Sequence, residues 1–470
     1  MTPTIEQQNI LDAVQSTKAN LMIRARAGCG KSATLKLIDR VASGPVLVIC
    51  FNRAIKESAI ASGEFRPSTT INNFNSIGHK IWADYCGKRL TLDKQKILNI
   101  FRAIVEEAPR GERKALWSFY DSVSSAVNMA RSVGYIPDTH ARSSRRLVEF
   151  SGLESRLDET LLPDARGLID RILNLSIAQA YSGVIDFNDQ VYMPALFGGT
   201  YPMFPLVMID EYQDLSPVNR AMVAKLCRHS RQIGVGDEAQ AIYEFRGADA
   251  TAMPDAAESF RMEILPLSIS FRCPSAITSN VHWHVPDIRS ANVGGHVSRV
   301  SNISIRPDTA VICRYNAPLL HMALAMIHQG AKVDLAGVDI GARILKLLGK
   351  LGSEDMTQAQ TLSAIDDWAA EKESMDSRSA ADLAESMRVF ARHGKSLGQA
   401  IAYAQHVFGS TEGEIRFMSG HRAKGLEFEN VYHLNASAIK SGGQEQNIHY
   451  VIDTRSSDRL TYIEEHHVPS

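Results

Sequence analysis

The stretch Asn20–Leu35, NLMIRARAGCGKSATL, constrains the fold of this chain more than any other. Its apolar residues Leu21–Ile23 predict a short buried strand, and a loop of small residues leads from that strand into a predicted helix that opens at Gly30-Lys31-Ser32. This order is typical of a phosphate-binding loop, because backbone N–H groups surround the phosphates and the helix N-terminus adds partial positive charge. The sequence therefore predicts a nucleotide site at the end of the first strand.

Two side chains of this loop have predicted roles on a nucleotide. Lys31 is expected to reach the β- and γ-phosphates, and the Ser32 hydroxyl is expected to bind Mg²⁺. Ala25 departs from the strict pattern, which has glycine at that position. The alternative is a chance run of small residues before Gly-Lys-Ser, and the flanking strand and helix argue against it.

Length and composition limit the other possibilities. At 470 residues the chain is too long for one core, so about two to four domains are expected. The 51 lysines and arginines balance 52 acidic residues, so any nucleic-acid site must be a local groove. Six cysteines without a C-x-x-C pair argue against a metal site made by neighbouring cysteines and fit a reducing compartment. The polar N-terminus and the lack of a long apolar run predict an intracellular protein without a membrane span.

Further apolar segments predict a parallel sheet whose strands end in polar motifs. PVLVICF precedes Asn52-Arg53, PLVMI precedes Asp210-Glu211, and RQIGVG precedes Asp237. Open α/β sheets bind ligands at the carboxyl ends of their parallel strands. In the second half, AVICRYN, EIRFMSGHRAKG, NVYHL and RLTYI predict another sheet, and the intervals Tyr85–Tyr181 and Ile340 to about Phe408 are predicted to be helical insertions.

The acidic pair Asp210-Glu211, directly after a buried strand, is the second strong signal. A carboxylate beside a phosphate loop can bind Mg²⁺, and its neighbour can act as the general base that activates water. The alternative is an acidic turn that caps the next helix, for which DLSP (214–217) would suffice. We expect Asp210 to bind the metal and Glu211 to act as the base.

Nine short motifs, taken together, resemble those of superfamily 1 DNA helicases of the UvrD/Rep/PcrA type, in the family's order along nearly the whole chain. They are TIEQQ, ARAGCGKS, CFNRA, NNFNSIGH, IDEYQD, VGDEAQAIYEFRGAD, SISFRCP, SGHRAKGLEF and YVIDTRSSDRL. The resemblance implies an α/β fold of the P-loop NTPase type, with two RecA-like parallel-sheet domains that each carry a mainly α-helical insertion. It also accounts for Ala25, because alanine is common there in this family.

The resemblance implies an ATP and Mg²⁺ site. Its catalytic positions match Lys31, Glu211, Gln240, Arg272 and Arg455. Gln240 would sense the γ-phosphate, and the two arginines would stabilise transition-state charge. The ATP contacts would come from Gln7, Ala27, Gly28, Cys29, Gly30, Lys31, Ser32, Phe271 and Glu427, and the metal contacts from Ser32 and Asp210.

The same resemblance assigns roles within that site. Gln7 would read adenine, Phe271 would stack on it in place of the family's tyrosine, and Glu427 would bond the ribose. ATP is expected between the two sheet domains, where closure of the arginines on the γ-phosphate would convert hydrolysis into domain motion.

On the nucleic-acid side, residue types and resemblance point to a groove for a single strand. Aromatic rings beside an arginine suit single-stranded bases, because every base offers a face for stacking. The candidate DNA contacts are Asn52, Phe74, Asn75, Tyr243, Phe245, Arg246 and His421. Core packing is the alternative role for the aromatic residues. The segment HARSSRR (140–146) could contact duplex phosphates, and a solvated face is its alternative.

Three departures from the family bear on activity. The second helical insertion is much shorter than in UvrD-type enzymes, and the sequence ends soon after Arg455, where the family has a strand-separating hairpin. The last motif is also loose, with Ile452-Asp453-Thr454-Arg455-Ser456. Motor activity is therefore better supported than duplex separation, which would depend on another element or a partner.

We expect an ATP-dependent DNA helicase or translocase that moves 3′→5′ on single-stranded DNA and engages junctions of single- and double-stranded DNA. The expected domains are 1–84 with 186–265 (ATP-binding), 85–185 (helical insertion), 266–339 with 409–470 (second RecA-like domain) and 340–408 (short helical insertion). A cytoplasmic monomer is expected, in the host cytoplasm if the compact chain is phage-encoded, with replication or repair proteins as partners and no membrane contact.

Three alternative functions stay open. A translocase could displace proteins from DNA without unwinding it, and unwinding and translocation assays would separate the two activities. A P-loop kinase or other NTPase acting on a non-nucleic-acid substrate would hydrolyse ATP at a rate indifferent to single-stranded DNA. An ATP-gated nucleic-acid clamp without turnover conflicts with Glu211, Gln240 and both arginines.

Overall fold

The computed structural model describes residues 2–51, 53–140, 147–149, 151, 153, 162–244, 247–248, 251–300, 309–337, 341–373, 377–409, 413–439 and 442–464. The chain divides into two compact units. The first comprises the residues up to Ala25 together with Gly30–Leu267, and the second comprises Arg26–Cys29 together with the residues from Ser268 onward. The boundaries of the four domains and insertions expected from the sequence remain predictions.

A six-stranded parallel sheet lies at the centre of the first unit. Its order is β3-β2-β6-β7-β1-β8, with β1 Leu21–Ala25, β2 Val46–Cys50, β3 Thr69–Asn73, β6 Leu206–Ile209, β7 Arg231–Gly236 and β8 Glu263–Leu267. Between β3 and β6 in sequence, β4 Thr91–Leu92 and β5 Val184–Ile185 form a separate parallel pair. The four predicted strands are present as β1, β2, β6 and β7.

The outer strands β3 and β8 were not predicted from the sequence. Both lie at the ends of the strand order, and most of their residues are half-buried or exposed. They therefore lack the continuous apolar run that marks a strand buried on both faces.

The strand order also makes β6, β7 and β1 neighbours, so their carboxyl ends meet at one edge of the sheet.

Helices pack around this sheet, and those of the predicted insertion form an apolar cluster of their own beside it. The bounds are Ile5–Ser16, Lys31–Val41, Arg53–Ala61, Phe74–Cys86, Lys96–Glu107, Arg113–Ser118, Tyr120–Val133, Leu162–Tyr181, Asp189–Phe197, Pro217–Leu226 and Ala252–Ser259, with 3-10 turns at Asp138–His140, Tyr212–Asp214 and Glu238–Gln240. Ile49, Val207 and Trp82 belong to the core at the sheet, whereas Phe101 and Val127 belong to a separate cluster among the helices of the predicted insertion.

The second unit also contains a six-stranded parallel sheet. Before it, β9 Ile269–Ser270 and β10 Arg289–Ser290 form a two-stranded parallel pair. The order of the large sheet is β11-β16-β15-β12-β14-β13, with β11 His296–Val300, β12 Thr309–Cys313, β13 Val333–Gly337, β14 Ile415–Ser419, β15 Phe428–Leu434 and β16 Ser456–Ile463. The four predicted strands are β12, β14, β15 and β16, and the unpredicted β11 and β13 are again the outer strands.

The helices of the second unit pack mainly through apolar side chains. Their bounds are Ser275–Asn280, Asn316–His328, Gly341–Leu351, Gln358–Glu373, Ser377–Ala391, Leu397–Gly409, Gly420–Ala423 and Gly443–Asp453, with a 3-10 turn at Ala436–Ala438. Val311 and Phe417 of the sheet share a core with Leu320 and Phe390 of the helices. Two parallel sheets with helical segments confirm the predicted α/β fold class. None of the helices formed by described residues combines the length and apolar character needed to cross a membrane.

Candidate nucleotide and nucleic-acid sites

The phosphate loop follows β1 and reaches the helix Lys31–Val41, as the sequence predicts. Gly28 and Gly30 have φ angles of +71° and +82°, a left-handed backbone that favours glycine. At Gly28 space is also limiting, because a Cβ there would lie 2.6 Å from the Cβ of Arg272. The N–H groups of the first helical turn have no intrahelical acceptors, so the loop can bind an anion there.

Lys31 forms an ion pair with Glu211, the predicted general base. Its Nζ lies 2.8 Å from Oε1 and 2.9 Å from Oε2 of Glu211. Burial lowers the pKa of Lys31, but the carboxylates of Glu211, Asp210 and Asp237 raise it more, so its pKa lies above the ordinary value. Lys31 is therefore a fixed positive charge at the N-terminus of its helix.

Asp210 lies directly after β6, and its own N–H donates to the Ile49 carbonyl at 3.0 Å. Burial and the adjacent Glu211 carboxylate raise the pKa of Asp210 to about 7, although Lys31 opposes the shift. A buried acid beside a second acid is electrostatically unfavourable when ionised, and a divalent cation would relieve that repulsion. Asp210 therefore fits its predicted role as a metal ligand. Ser32, the other predicted metal ligand, is exposed on the first turn of the helix Lys31–Val41.

Glu211 has an unusual backbone for a residue that is not glycine. Its φ angle is +52°, in the left-handed region, where such residues cost about 1–3 kcal/mol and cluster at functional sites. Its N–H donates to Asp210 Oδ1 at 2.9 Å, and its carboxylate accepts from Gln213 Nε2 at 2.6 Å. The strained turn thus directs Glu211 to Lys31.

A chain of hydrogen bonds joins the ends of β6 and β7. The Gln213 side-chain oxygen accepts from the Asp237 N–H at 3.0 Å, and the Asp237 carboxylate accepts from Gln240 Nε2 at 2.7 Å. With the contacts of Glu211, this chain runs continuously from Lys31 to the γ-phosphate sensor candidate Gln240. Sequence patterns identified most of its members but not the relay through Gln213.

Gln7 is buried next to the first turn of the same helix. Its amide oxygen accepts from the Thr4 N–H at 3.0 Å in the cap of the helix Ile5–Ser16. Its Nε2 donates to Thr34 Oγ1 at 3.1 Å, and Thr34 donates to the Gly30 carbonyl. The amide therefore links the cap of the helix Ile5–Ser16 to the start of the helix Lys31–Val41.

In the second unit, the loop residue Gly28 contacts one of the predicted ATP residues, Phe271. The Phe271 N–H donates to the Gly28 carbonyl at 2.9 Å, and the Phe271 ring is 47% exposed. Arg272 Nε donates to Glu427 Oε2 at 2.8 Å, so the predicted ribose ligand is an ion-pair partner of a predicted arginine finger. Cys29 is buried.

Two further residues bind this loop segment and were missed from the sequence. The Ala27 N–H donates to the Tyr450 hydroxyl at 3.1 Å, and Arg26 donates to Asp287 at 2.9 Å. Tyr450 opens the motif YVIDTRSSDRL, so its position carried a signal, whereas nothing in the sequence near Asp287 indicated a role.

Arg455 lies in the interior of the second unit, with 1% of its surface exposed. Its Nε donates to the Val451 carbonyl at 2.8 Å, and one terminal nitrogen donates to the Leu426 carbonyl at 3.2 Å. In this conformation these contacts hold the guanidinium on backbone carbonyls of its own unit. A role on the γ-phosphate stays a prediction.

A cleft of about 820 Å³ in the first unit contains several of the predicted DNA contacts. Phe51 and Tyr243 line it with their rings stacked at 6.1 Å and an interplanar angle of 11°. The Phe187 side chain also lines it and is 50% exposed. Asn75 lines the cleft too, and its amide donates to the Phe187 carbonyl and to Gln190. Aromatic faces beside amides suit the bases of a single strand.

The other residues predicted to contact DNA are either buried, in the second unit, or outside the described residues. Phe74 touches the cleft but is only 3% exposed and belongs to the core at the sheet, and His421 is half-buried in the helix Gly420–Ala423 of the second unit. Asn52, Phe245, Arg246 and residues 141–146 of HARSSRR lie outside the described residues. Phe51 and Phe187 were missed, because Phe51 ends an apolar strand segment that reads as core.

One wall of the cleft rests on a buried ionic network. Arg131 pairs with Asp186 at 2.8 Å and Asp189 at 3.2 Å, and Lys96 pairs with Asp189 at 2.6 Å. Burial lowers the pKa of Lys96. Burial alone would raise the pKa of Asp186, but the charges of Arg131 and Lys96 and the hydrogen bonds to its carboxylate together lower it. Because a buried charge left without its partner is strongly destabilising, this network fixes the helices of the insertion against Asp189–Phe197.

Comparison with known proteins supports the resemblance to UvrD-type helicases. Residues 145–261 match the family described as the UvrD/REP helicase N-terminal domain. The chain is 28% identical over 125 residues to an ATP-dependent helicase/nuclease protein of Alkaliphilus oremlandii (strain OhILAs), covering 24% of this chain and 10% of that protein. It is 25% identical over 269 residues to F-box DNA helicase protein 1 of Schizosaccharomyces pombe, covering 53% of this chain and 29% of that protein.

The chain thus spans only about a tenth to three tenths of the length of these curated relatives. Among solved structures, it is similar to the arterivirus nonstructural protein 10 (helicase), with 12% identity and a TM-score of 0.37 over 97% of this chain and 61% of that one. The family match and the two relatives thus support the resemblance of this chain to UvrD-type helicases of superfamily 1.

Proposed function

We propose that the chain is an ATP-driven motor that binds single-stranded DNA in the cleft of the first unit. The observation that carries the proposal is the series of polar contacts that runs from Lys31 through Glu211, Gln213 and Asp237 to Gln240. Tyr243 stands three residues after Gln240 and stacks on Phe51 in the cleft. One short segment therefore connects the phosphate loop to an aromatic surface suited to bases.

The residues after β1 and β6 fit Mg-ATP. Backbone N–H groups at the helix N-terminus would bind the phosphates, and Ser32 and Asp210 would hold Mg²⁺. The metal held there would neutralise phosphate charge. The pKa of Asp210, raised to about 7, supports this assignment, because a bound cation would favour the ionised carboxylate.

Glu211 and Lys31 would exchange partners when the nucleotide binds. A γ-phosphate offers Lys31 a second anion, which weakens its hold on Glu211 and leaves that carboxylate able to accept a proton from water. Gln213 would keep Glu211 oriented through its hydrogen bond. Arg272 and Arg455 are proposed, on the family resemblance, to add positive charge to the γ-phosphate in the transition state.

Coupling between ATP and DNA would run through Gln240. A change in the contact between Gln240 and Asp237 on hydrolysis would move the segment that carries Tyr243, and so change the stacking of a base. The coupling must be reciprocal in binding, so DNA in the cleft would also change the affinity for ATP. Movement in the 3′→5′ direction and unwinding of duplex DNA are proposed from the family resemblance.

The test is ATP hydrolysis by the full chain with and without single-stranded DNA. We expect stimulation by DNA, whereas a rate indifferent to DNA would favour an NTPase that acts on a different substrate. Glu211→Gln should keep ATP binding and lower turnover by about 10²- to 10⁴-fold, the size expected for loss of a general base. Glu258→Gln, which changes an exposed acid of the same unit, is the matched control.

Turnover of Glu211→Gln at the parent rate would refute the assignment of the general base. Tailed duplexes of both polarities then test direction, because only one polarity should be unwound. Displacement of a protein block from single-stranded DNA separates translocation from unwinding: displacement without unwinding on either tail would show a translocase that does not separate strands.

A further inference from the structure

A cluster of metal-ligating side chains lies in the second unit, at a place that no predicted role explains. His433 belongs to β15, and His449 and Asp453 belong to the helix Gly443–Asp453. One donor atom from each of the three lies within 4.8 Å of the other two. His449 and Asp453 are four residues apart, so the helix presents both on one face.

The histidine nitrogens of this cluster are poised as metal ligands. His433 Nδ1 lies 2.7 Å from Asp453 Oδ1, so Nδ1 is the His433 nitrogen that faces the carboxylate, and a metal ion bound by both would take the place of their hydrogen bond. His449 Nε2 lies 3.5 Å from Asp453 Oδ2. In the part of the chain that the structure describes, the Nε2 atoms of both histidines are buried without a hydrogen-bond partner. Buried polar atoms normally have partners, and a metal ion would supply one to His449 Nε2, which faces Asp453.

Neighbouring side chains hold the carboxylate in place. The Tyr462 hydroxyl donates to Asp453 Oδ2 at 2.7 Å, and Asn280 donates to the Tyr462 oxygen at 2.7 Å. His433 and Asp453 are fully buried, and His449 is largely so. Oriented carboxylate and imidazole groups of this kind are typical of metal sites, where outer partners fix the ligands.

We propose that His433, His449 and Asp453 form a binding site for a divalent transition-metal ion, with Zn²⁺ as the best match. Two imidazoles and one carboxylate are a ligand set that Zn²⁺ accepts at about 2.0–2.2 Å. Ligands at that distance would lie roughly 3.5 Å from one another. His433 Nδ1 and Asp453 Oδ1 would therefore separate by about 0.8 Å, whereas His449 Nε2 already lies 3.5 Å from Asp453 Oδ2. This proposal is independent of the ATP and DNA sites.

The bound ion would fasten the helix Gly443–Asp453 to β15. The residue after that helix is Thr454, and Arg455 follows, so the metal would restrain the turn that carries the buried arginine. Metal binding therefore adds stability to the second unit, because binding to the folded state alone shifts the unfolding equilibrium.

The experiment uses the full chain, prepared without a histidine tag and stripped with a chelator. We expect it to take up about one Zn²⁺ per chain by elemental analysis and to unfold at a higher temperature with Zn²⁺. Co²⁺ in place of Zn²⁺ should give strong visible absorption bands that report low coordination. An absence of stoichiometric uptake and of these bands in the wild-type chain would overturn the proposal without any variant.

Variants locate the metal. His449→Ala should weaken Zn²⁺ binding by more than about 10-fold, and Tyr462→Phe by roughly 10- to 100-fold because the carboxylate loses its partner. His296→Ala removes an exposed histidine of the same unit and should bind like the parent. Circular dichroism confirms that each variant is folded. Equal binding by folded His449→Ala and the parent would show that the ion binds elsewhere and would overturn the site.

Discussion

The two six-stranded sheets share an architecture and differ in the chemistry of their strands. In the first unit, adjacent strands β1, β6 and β7 end in a phosphate loop, an acidic pair and Asp237, which together form a polar edge. In the second unit, β15 carries buried His433, and buried Arg455 directly precedes β16. Parallel topology therefore determines where a site can form, and the residues at that place determine what it can bind.

The helical segments beside the two sheets are also held differently. In the first unit, the buried charges of Lys96, Arg131 and Asp189 fix the insertion at the wall of the cleft. In the second unit, an apolar core holds the helices, and ion pairs such as Arg388–Asp366 lie at the surface, where a pair contributes about 0–1 kcal/mol. A buried network specifies position more strongly, because breaking it leaves a charge unpaired.

The largest expected change in ATP turnover comes from a substitution in the second unit. Arg272→Ala should lower ATP turnover by about 10³-fold or more, because an arginine that neutralises transition-state charge contributes that much. Steady-state hydrolysis with single-stranded DNA measures it, and Arg289→Ala, which changes an exposed arginine of the same unit, is the control. A fall no greater than that of the control would assign catalysis to the first unit alone.

Next in size is Lys31→Ala in the first unit. Removing this fixed charge should lower turnover by about 10²- to 10³-fold and weaken nucleotide binding, since Lys31 is the cation of the phosphate loop. Hydrolysis and binding of a fluorescent nucleotide measure the two effects. Lys36→Ala on the same helix removes a lysine that pairs with Glu64 near the surface and should behave like the parent.

A smaller effect is expected in the cleft. Tyr243→Ala should weaken single-stranded DNA binding by about 1–3 kcal/mol, or roughly 5- to 150-fold in Kd, because one stacking surface is lost. Fluorescence anisotropy with a labelled oligonucleotide measures the change. Phe119→Ala removes an exposed aromatic ring of the insertion and should leave the Kd as it is, whereas equal losses in both variants would place the DNA outside the cleft.

The last prediction concerns how the stability of the polar edge depends on pH. The folded chain holds a proton on Asp210 with a pKa of about 7, while the ordinary value is 3.8, so unfolding releases that proton between about pH 4 and pH 7. The free energy of unfolding should therefore fall as the pH rises through this interval. The raised pKa of Lys31 affects stability only at higher pH, where its ordinary form loses the proton.

Asp210→Asn should flatten this dependence. Melting temperatures of the metal-free parent and variant at pH 5 and pH 8 measure the difference, and Asp84→Asn changes an exposed acid of the same unit as a control. Equal slopes in the parent and Asp210→Asn would show that Asp210 is ionised throughout the interval.

The sequence by itself determined the buried strands and the motifs that follow them. β1, β2, β6 and β7 are continuous apolar runs, and glycines at 28 and 30 mark the phosphate loop, because burial on both faces and a left-handed backbone each leave a local signature. The outer strands β3, β8, β11 and β13 lie at the ends of their sheets and lack the continuous apolar run that burial on both faces leaves.

Only the tertiary structure decided which distant residues meet. The relay through Gln213, the contact of Tyr450 with Ala27, and the group of His433 with Asp453 join residues that no local pattern connects. Burial likewise separated Phe74, which is in the core, from Phe187, which is exposed in the cleft. The physical reason is that contact and burial depend on the packing of whole elements, whereas a sequence pattern reports only the near neighbours of each residue.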